Sequence, residues 1–272
     1  MSIIFTKMNG SGNDFIIIDN RESVIKTSDK RDFVIKVCIP KVSVGADGVI
    51  FIENSEKADF KWDFYNADGS SAEMCGNGCR CIAKYAYEKK IASEKMSFET
   101  TAGIIQADIK ESCIRVKLTN PKDLQMNLPI DLNGRKYQVD SLNTGVPHAI
   151  IYTSDIKSEN VCSIGREIRS HTAFSPAGTN VNFVQKQGTN KLCIRTYERG
   201  VEDETLACGT GVVASALLAS RAGLVQPPVL VQTQGGEFLT VDFKVTSEGE
   251  KFGEVFLEGP AKLVFEGTIV EI

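Results

Sequence analysis

Glu73-Met74-Cys75-Gly76-Asn77-Gly78 and Leu206-Ala207-Cys208-Gly209-Thr210-Gly211 are the two stretches on which the reading of this chain turns. Each is a cysteine followed by Gly-x-Gly and then by a run with helical character. Glycines let a backbone turn tightly and come close to a ligand. A helix starting there aims unpaired N–H groups and the positive end of its dipole back at the cysteine. That environment favours thiolate over thiol and offers a seat for a carboxylate. One such cysteine in each half of the chain predicts a single site with a sulfur on either side of the substrate.

Working outward, Asn77 to Lys90 and Val212 to Ala222 read as helices, the second apolar nearly all round and hence buried. Downstream of both comes a strand, a glycine turn and a hairpin. The spacing is equal, with 103 − 75 = 28 positions from Cys75 to Gly103 and 236 − 208 = 28 from Cys208 to Gly236. Upstream, Asn13-Asp14-Phe15 is loosely echoed by Asn180-Val181-Asn182-Phe183. These parallels predict a duplication: two similar α/β domains related by a pseudo-twofold axis, with the cysteines facing each other across a cleft.

The remaining elements follow from alternation and turn residues. Strands are expected at Ile3 to Phe5, Phe15 to Asp19, Val49 to Ile52, Lys61 to Tyr65, Ile104 to Ile109, Ile114 to Leu118, Lys136 to Leu142, Asn180 to Val184 and Lys191 to Tyr197. The tail adds Val229 to Thr233, Phe238 to Phe243, Val255 to Leu257 and Leu263 to Phe265. Asp29 to Cys38, capped by Ser28, and Val161 to Ser170 are expected helices. Thr119 to Pro129, carrying two prolines, reads as a crossover between the halves.

Bulk properties exclude several classes. The 272 residues suffice for one large or two smaller domains, 42% hydrophobic and 24% charged as in ordinary soluble proteins. A net charge of −4 without a Lys/Arg cluster argues against nucleic acid as a partner. The longest apolar run, Val212 to Ala219, is far short of the roughly 18 residues of a membrane span. The N-terminus lacks a basic region ahead of an apolar core, so no signal peptide is expected. Eight cysteines without an export signal are expected as thiols in the cytoplasm.

Two opposed thiols suit one reaction well. Inverting an amino-acid α-carbon requires removing a weakly acidic hydrogen from one face and delivering one to the other. One thiolate base and one neutral thiol acid accomplish this together. Two close thiols resist ionising together, so the pair holds one shared proton. The helix N-termini would hold the α-carboxylate and stabilise charge developing on it.

At this point the chain resembles diaminopimelate epimerase over essentially its whole length. The resemblance is carried by Lys7-Met8-Asn9-Gly10-Ser11-Gly12-Asn13-Asp14-Phe15, Phe64-Tyr65-Asn66-Ala67-Asp68-Gly69-Ser70 and Met74-Cys75-Gly76-Asn77-Gly78. Further on come Thr144-Gly145-Val146-Pro147-His148, Gly178-Thr179-Asn180-Val181-Asn182-Phe183, Tyr197-Glu198-Arg199-Gly200 and Ala207-Cys208-Gly209-Thr210-Gly211. It implies an α/β (α+β) fold of two domains, each a curved, mostly antiparallel sheet around a central helix. The first would take residues 1–119 with the C-terminal strand, 262–272, and the second residues 120–261. It implies cofactor-independent interconversion of LL- and meso-2,6-diaminopimelate, a small-molecule substrate of lysine and cell-wall synthesis. A homodimer is among the assemblies it implies. Cys75 and Cys208 become the acid/base residues, with Gly76, Asn77, Gly209 and Thr210 supplying backbone donors. Asn13, Asn66, Asn180, Glu198 and Arg199 match the family's substrate ligands, and His148 is expected to position groups beside them. An Arg199 fork suits a distal carboxylate. Gly48 and Val146 depart from the glutamine and asparagine of many members, each removing a side-chain hydrogen bond to substrate.

Other cysteines have plainer readings. Cys38, Cys113, Cys162 and Cys193 are expected as small buried apolar residues, and Cys79 and Cys81 as packing within the first helix. Cys75-x3-Cys79-x-Cys81 matches neither zinc nor the usual iron–sulfur spacing, so no metal is expected. His171 is expected to be a cap or surface residue. No Walker-type or dinucleotide-type loop occurs. The acidic run Glu202-Asp203-Glu204 reads as a lengthened loop before Cys208. The competing functions are another enzyme of the same architecture, a proline racemase or phenazine-biosynthesis isomerase, and a non-enzymatic thiol or metal-binding module.

Overall fold

The computed structural model describes residues 2–72, 74–111, 113–245 and 252–271; Glu73, which opens the first quoted stretch, lies outside them. The chain divides into two compact units, Met1–Lys117 with Gly259–Ile272, and Leu118–Glu258.

The first unit runs β1 (Ile3–Gly10), β2 (Asn13–Asp19), α1 (Lys30–Val37), β3 (Gly48–Glu53), β4 (Phe60–Asn66), α2 (Gly76–Glu88), β5 (Lys95–Thr100), β6 (Gly103–Lys110) and β7 (Cys113–Lys117). β1 and β2 pair antiparallel, β2 and β3 parallel, β3 and β4 antiparallel, β4 and β5 parallel, and β5, β6 and β7 antiparallel in turn. The second unit runs β8 (Lys122–Leu132), β9 (Arg135–Asn143), β10 (Pro147–Tyr152), α3 (Val161–Arg169), β11 (Asn180–Gly188), β12 (Lys191–Glu198), β13 (Asp203–Thr205), α4 (Gly209–Arg221), β14 (Val229–Gln232), β15 (Phe238–Val245) and β16 (Phe252–Gly259). From β9 onward it repeats the first unit's senses: antiparallel to β10, parallel to β11, antiparallel to β12, parallel to β14, then antiparallel through β15 and β16. The last strand, β17 (Lys262–Ile269), pairs antiparallel with β1, as β8 does with β9. Topology therefore shows the duplication that spacing and element order suggested, but not the upstream echo: β2, with Asn13, corresponds to β10, whereas Asn180 lies on β11, the counterpart of β3. Gly103 and Gly236, whose equal spacing first signalled it, both hold positive φ at hairpin turns, and a Cβ on either would meet open space. Backbone conformation is what demands glycine there.

The strands of each unit are buried on two faces. In the first unit, Ile16, Ile18, Val49 and Phe51 form one layer with Phe33, Val34 and Val37 of α1. The alternate residues Ile17, Ile50, Trp62 and Phe64 are also buried, and Gly78 of α2 lies against Ile50 and Trp62. Such continuous apolar runs mark strands covered on both sides. α2 packs against β17, β1 and β2 as well as β6 and β7, so the sheet curves around it. In the second unit α3 joins Ala149, Ile151, Val181 and Phe183 in an outer layer, while α4, buried from Gly211 to Ala219, takes the inner one.

Four expectations need correction. Ser28 does not cap α1: the N-cap is Asp29, without a side-chain cap hydrogen bond, and the Ser28 hydroxyl donates to the Asp29 carboxylate instead. Thr119 to Pro129 is not a plain crossover: β8 covers Lys122–Leu132, with register shifts and positive φ at Asp123 and Asn127. Its partner is β9, with Pro129 in register with Gln138. β10 and the short β13 escaped notice because each is brief and flanked by glycine or charge. Cys162 is not an apolar core residue: it sits half-buried on α3, its thiol donating to Asp203 Oδ1 at 3.1 Å.

Candidate active site

Cys75 and Cys208 occupy equivalent places. Each is the N-cap of its unit's central helix, in extended backbone at φ −145°, ψ 115° and φ −124°, ψ 107°. The four motif glycines lie inside the helices rather than in positive-φ turns. They serve close approach instead. A Cβ on Gly78 would stand 3.3 Å from Ile50 and Trp62, and one on Gly211 only 2.3 Å from Asn182 Oδ1. First-turn amides of such helices have no partner within the helix and can receive an anion.

Around Cys75 the side chains form a directed network. Gly78 N donates to Cys75 Sγ at 3.5 Å. The Arg80 guanidinium, fully buried, donates to Asn77 Oδ1 at 2.9 Å, Ser11 Oγ at 2.7 Å, Gly76 O at 3.3 Å and Pro260 O at 3.2 Å. An arginine can only donate, so Asn77 must turn its amide nitrogen the other way. There it donates to Asn13 Oδ1 at 2.6 Å. Asn13 in turn donates to Asp47, which also takes the Asp14 amide. Lys7 pairs with Asp14 at 3.2 Å and donates to Gly45 O. The Lys7–Phe15 motif is thus a brace that sets Asn13 against Asn77. Asn66, at the end of β4, donates to Ser70 Oγ at 3.0 Å and stays exposed.

In the second unit, His148 is wholly buried, with Nε2 2.9 Å from Thr210 Oγ1 and Nδ1 3.1 Å from Asn182 Nδ2. Thr210 Oγ1 is 3.5 Å from Cys208 Sγ. His148 pairs in register with Asn180, whose side chain donates to Pro147 O and accepts from the Arg199 amide. Arg199 donates from Nη1 to Ala177 O at 2.9 Å. Glu198 ends β12 opposite Asp203 of β13. The acidic run is therefore no loose loop. Glu202 takes Arg169, Glu204 holds Arg195 through both oxygens, and Asp203 takes Cys162. His171 caps the short helix Thr172–Phe174 through the Ala173 amide, as expected of a cap.

Gly48 has a packing reason. A Cβ there would meet Phe64 and Tyr65 O at 2.6 Å, so no side chain fits beside Asn66, its register partner. Val146 is half-buried, its carbonyl accepting from the Thr144 amide. Arg80, Asp47 and Asn182 are the site residues that sequence reasoning missed. Arg80 carried a signal: a cation set between two cysteines, Cys79-Arg80-Cys81, ahead of the apolar pair Ile82-Ala83.

Burial pushes the Cys81 and Cys38 thiols up to about 12 and Cys79 well above its ordinary value, so they stay protonated as packing groups. Among the described residues no cluster of three His, Cys, Asp or Glu could hold a metal ion, and no helix is long and apolar enough to cross a membrane. A cavity of about 330 Å³ in the first unit is lined by Asn20, Lys26, Lys30, Glu53 and Asp63, none of them in the cysteine networks. Its Lys30 is already paired with Glu53 and Asp63 over the Phe51 ring.

Burial, aided by the charge on Arg199, lowers His148 to about 3. The folded value lies below the unfolded one of 6.5, so the unfolded chain takes up this proton first. The stability His148 contributes is full above about pH 6.5 and is lost as pH falls toward 3, at about 1.36 kcal/mol per unit. Urea unfolding across that range should show a slope about one proton steeper in the wild type than in His148→Gln. Parallel slopes would contradict the neutral, buried imidazole.

The model of the diaminopimelate epimerase family matches residues 5–122 and 141–264. The diaminopimelate epimerase of Aquifex aeolicus is 48% identical over 279 residues, 98% of each chain. Among solved structures, a phenazine biosynthesis protein of the PhzF family from Bacillus anthracis aligns with a TM-score of 0.77 at 16% identity over 100% of both chains. A probable proline racemase from Agrobacterium radiobacter K84 aligns at 0.74 and 12% identity, over 99% of this chain and 93% of that one. At those identities the two structures speak for the fold alone, a mixed α/β architecture shared with this chain. The family match and the relative decide the rest: the chain belongs to the diaminopimelate epimerase family of isomerases.

Proposed function

We propose that this epimerase interconverts LL- and meso-2,6-diaminopimelate without a cofactor, with Cys75 and Cys208 acting from opposite faces of one α-carbon. The observation that carries this is the repeated placement of a cysteine at the N-cap of each unit's central helix. One thiolate removes the α-hydrogen while the other thiol delivers a proton, so each turnover exchanges the two states and leaves the enzyme ready for the reverse direction. The first-turn amides at Gly76–Asn77 and Gly209–Thr210 receive the α-carboxylate, where negative charge grows in the transition state. Asn13, Asn66, Asn180, Glu198 and Arg199 hold the unreactive end, with the guanidinium on its carboxylate and Glu198 on its ammonium.

The test is deuterium incorporation from solvent at the α-carbon, followed by mass spectrometry and chiral chromatography. LL-diaminopimelate should exchange and invert, whereas L-proline, lacking a second amino-carboxylate end, should do neither. Turnover of proline alone would replace the assignment with a proline-type racemase.

A further inference from the structure

α2 carries a buried cation at a place where its counterpart α4 carries none. Arg80 lies 80 − 75 = 5 residues past Cys75, and Val213 lies 213 − 208 = 5 past Cys208. The strands keep the same count, since Gly78 and Gly211, three past each cysteine, face the matching residues Ile50 and Asn182. Both side chains are shut away from water, Arg80 at 0% exposure and Val213 at 1%. The fold therefore accepts valine here, while a buried guanidinium is costly unless its donors are met. Folding alone does not call for Arg80.

Its hydrogen bonds impose a direction on two neighbouring amides. A guanidinium can only donate, and it meets Asn77 Oδ1 at 2.9 Å. At the far end Asp47 Oδ2 takes the Asp14 amide at 2.9 Å, so it accepts, and it meets Asn13 Nδ2 at 3.2 Å. Between them Asn77 Nδ2 donates to Asn13 Oδ1 at 2.6 Å. Neither amide can turn over. A flipped Asn77 would set N–H against Arg80, and a flipped Asn13 would set its carbonyl against Asp47. Two residues before the matching strand positions Phe15 and His148 stand Asn13 and Val146. The unit without the buried cation thus has no amide there to align.

We propose that Arg80 and Asp47 are positioning residues for Asn13: the donating and accepting ends of a polarised chain that holds its half-buried amide in one orientation toward the substrate. Arg80, fully buried, acts only through Asn77. The chain moves no proton. Its work is done before substrate arrives, because an amide already aimed need not be ordered on binding.

The inference rests on reading Asn13 as a substrate ligand, and its test separates the two. Epimerisation of LL-diaminopimelate is measured in Arg80→Met, Asn13→Ala and the double variant. Arg80→Met should lower kcat/KM about tenfold, chiefly through KM, as for one misdirected hydrogen bond to substrate. In the Asn13→Ala background the same substitution should cost no more than about twofold, whereas a purely structural role costs the same in both. Asp47 is exposed, so its variants test the other end outside the core and decide the matter if Arg80→Met does not fold. Asp47→Asn, whose oxygen the Asp14 amide keeps in place, should lose much less than Asp47→Ala. Additive losses in the Arg80–Asn13 cycle overturn the proposal, as do equal losses in the two Asp47 variants. Wild-type kinetics in Asn13→Ala would sink the ligand reading of Asn13 and the proposal with it. A readout without turnover is solvent exchange of the Asn13 side-chain amide, followed by NMR in isotope-labelled protein. Its protection should fall in Arg80→Met and Asp47→Ala and persist in Asp47→Asn. That pattern in a protein inert toward diaminopimelate would uphold the positioning while sinking the assigned substrate; unchanged protection in all three would overturn the positioning itself.

Discussion

Cys208→Ala and Cys75→Ala are each expected to abolish net epimerisation, with losses of at least about 10²–10⁴, the contribution of one acid/base group. At about 1.36 kcal/mol per decade this is roughly 3–5 kcal/mol of barrier. The two variants should fail differently. The surviving thiol can still remove a hydrogen from its own face and return a solvent deuteron to that face. Each variant should therefore wash deuterium into one stereoisomer without inverting it, and the favoured isomer should switch between the two variants. Full inversion in either, or identical exchange of both isomers in both, is incompatible with opposed thiols. Thermal unfolding should show little change, because each substitution removes a single sulfur at a helix cap.

Gly211→Ala should be among the most damaging small substitutions in the chain. Helix propensity argues the other way, since alanine gains about 1 kcal/mol over glycine inside a helix. Here the new methyl would stand 2.3 Å from Asn182 Oδ1 and 3.4 Å from His148. Asn182 cannot retreat without leaving Thr196, His148 and Ala149 O unsatisfied. Overpacking at about 1–3 kcal/mol and lost buried hydrogen bonds at about 1–3 kcal/mol each together exceed the propensity gain. Gly78→Ala is the control: its neighbours are Ile50 and Trp62 at 3.3 Å, apolar groups that need yield only tenths of an ångström. Calorimetry should find Gly211→Ala lower in melting temperature by several degrees and Gly78→Ala within a degree or two, using about 2–4 °C per kcal/mol for a chain of this size. Equal shifts would mean that Asn182 and its partners His148 and Thr196 are not rigid.

The cysteine motifs, the buried central helices and the repeat were legible in the sequence because each rests on a local signal. Gly103 and Gly236 showed the repeat through spacing, and α4 showed its burial through continuous apolar composition. β8 was hidden because its ladder is interrupted by bulges and carries Pro129, which local rules assign to loops. The supporting polar residues were hidden for another reason. Asn182 and Arg80 matter through which atoms they face, and strand register, which decides this for Asn182, depends on partners far along the chain. Gly48 illustrates the same limit. From sequence it is a missing side chain; in the structure it is the only residue that Phe64 and Tyr65 leave room for.

The place taken by β17 has a consequence for synthesis. The first unit's β1 borrows its outer neighbour from residues 262–269, whereas β9 finds its own just upstream across the Asn133-Gly134 turn. At about 5–20 residues per second, the ribosome delivers that last strand on the order of 10–50 s after β1 has emerged. Until then the nascent N-terminal half carries an open apolar edge of the kind chaperones shield. Because Ile269 lies opposite Ile3, the last strand could be carried to the front of the chain through a tight turn, and such a permutant would complete its first sheet as soon as it is made.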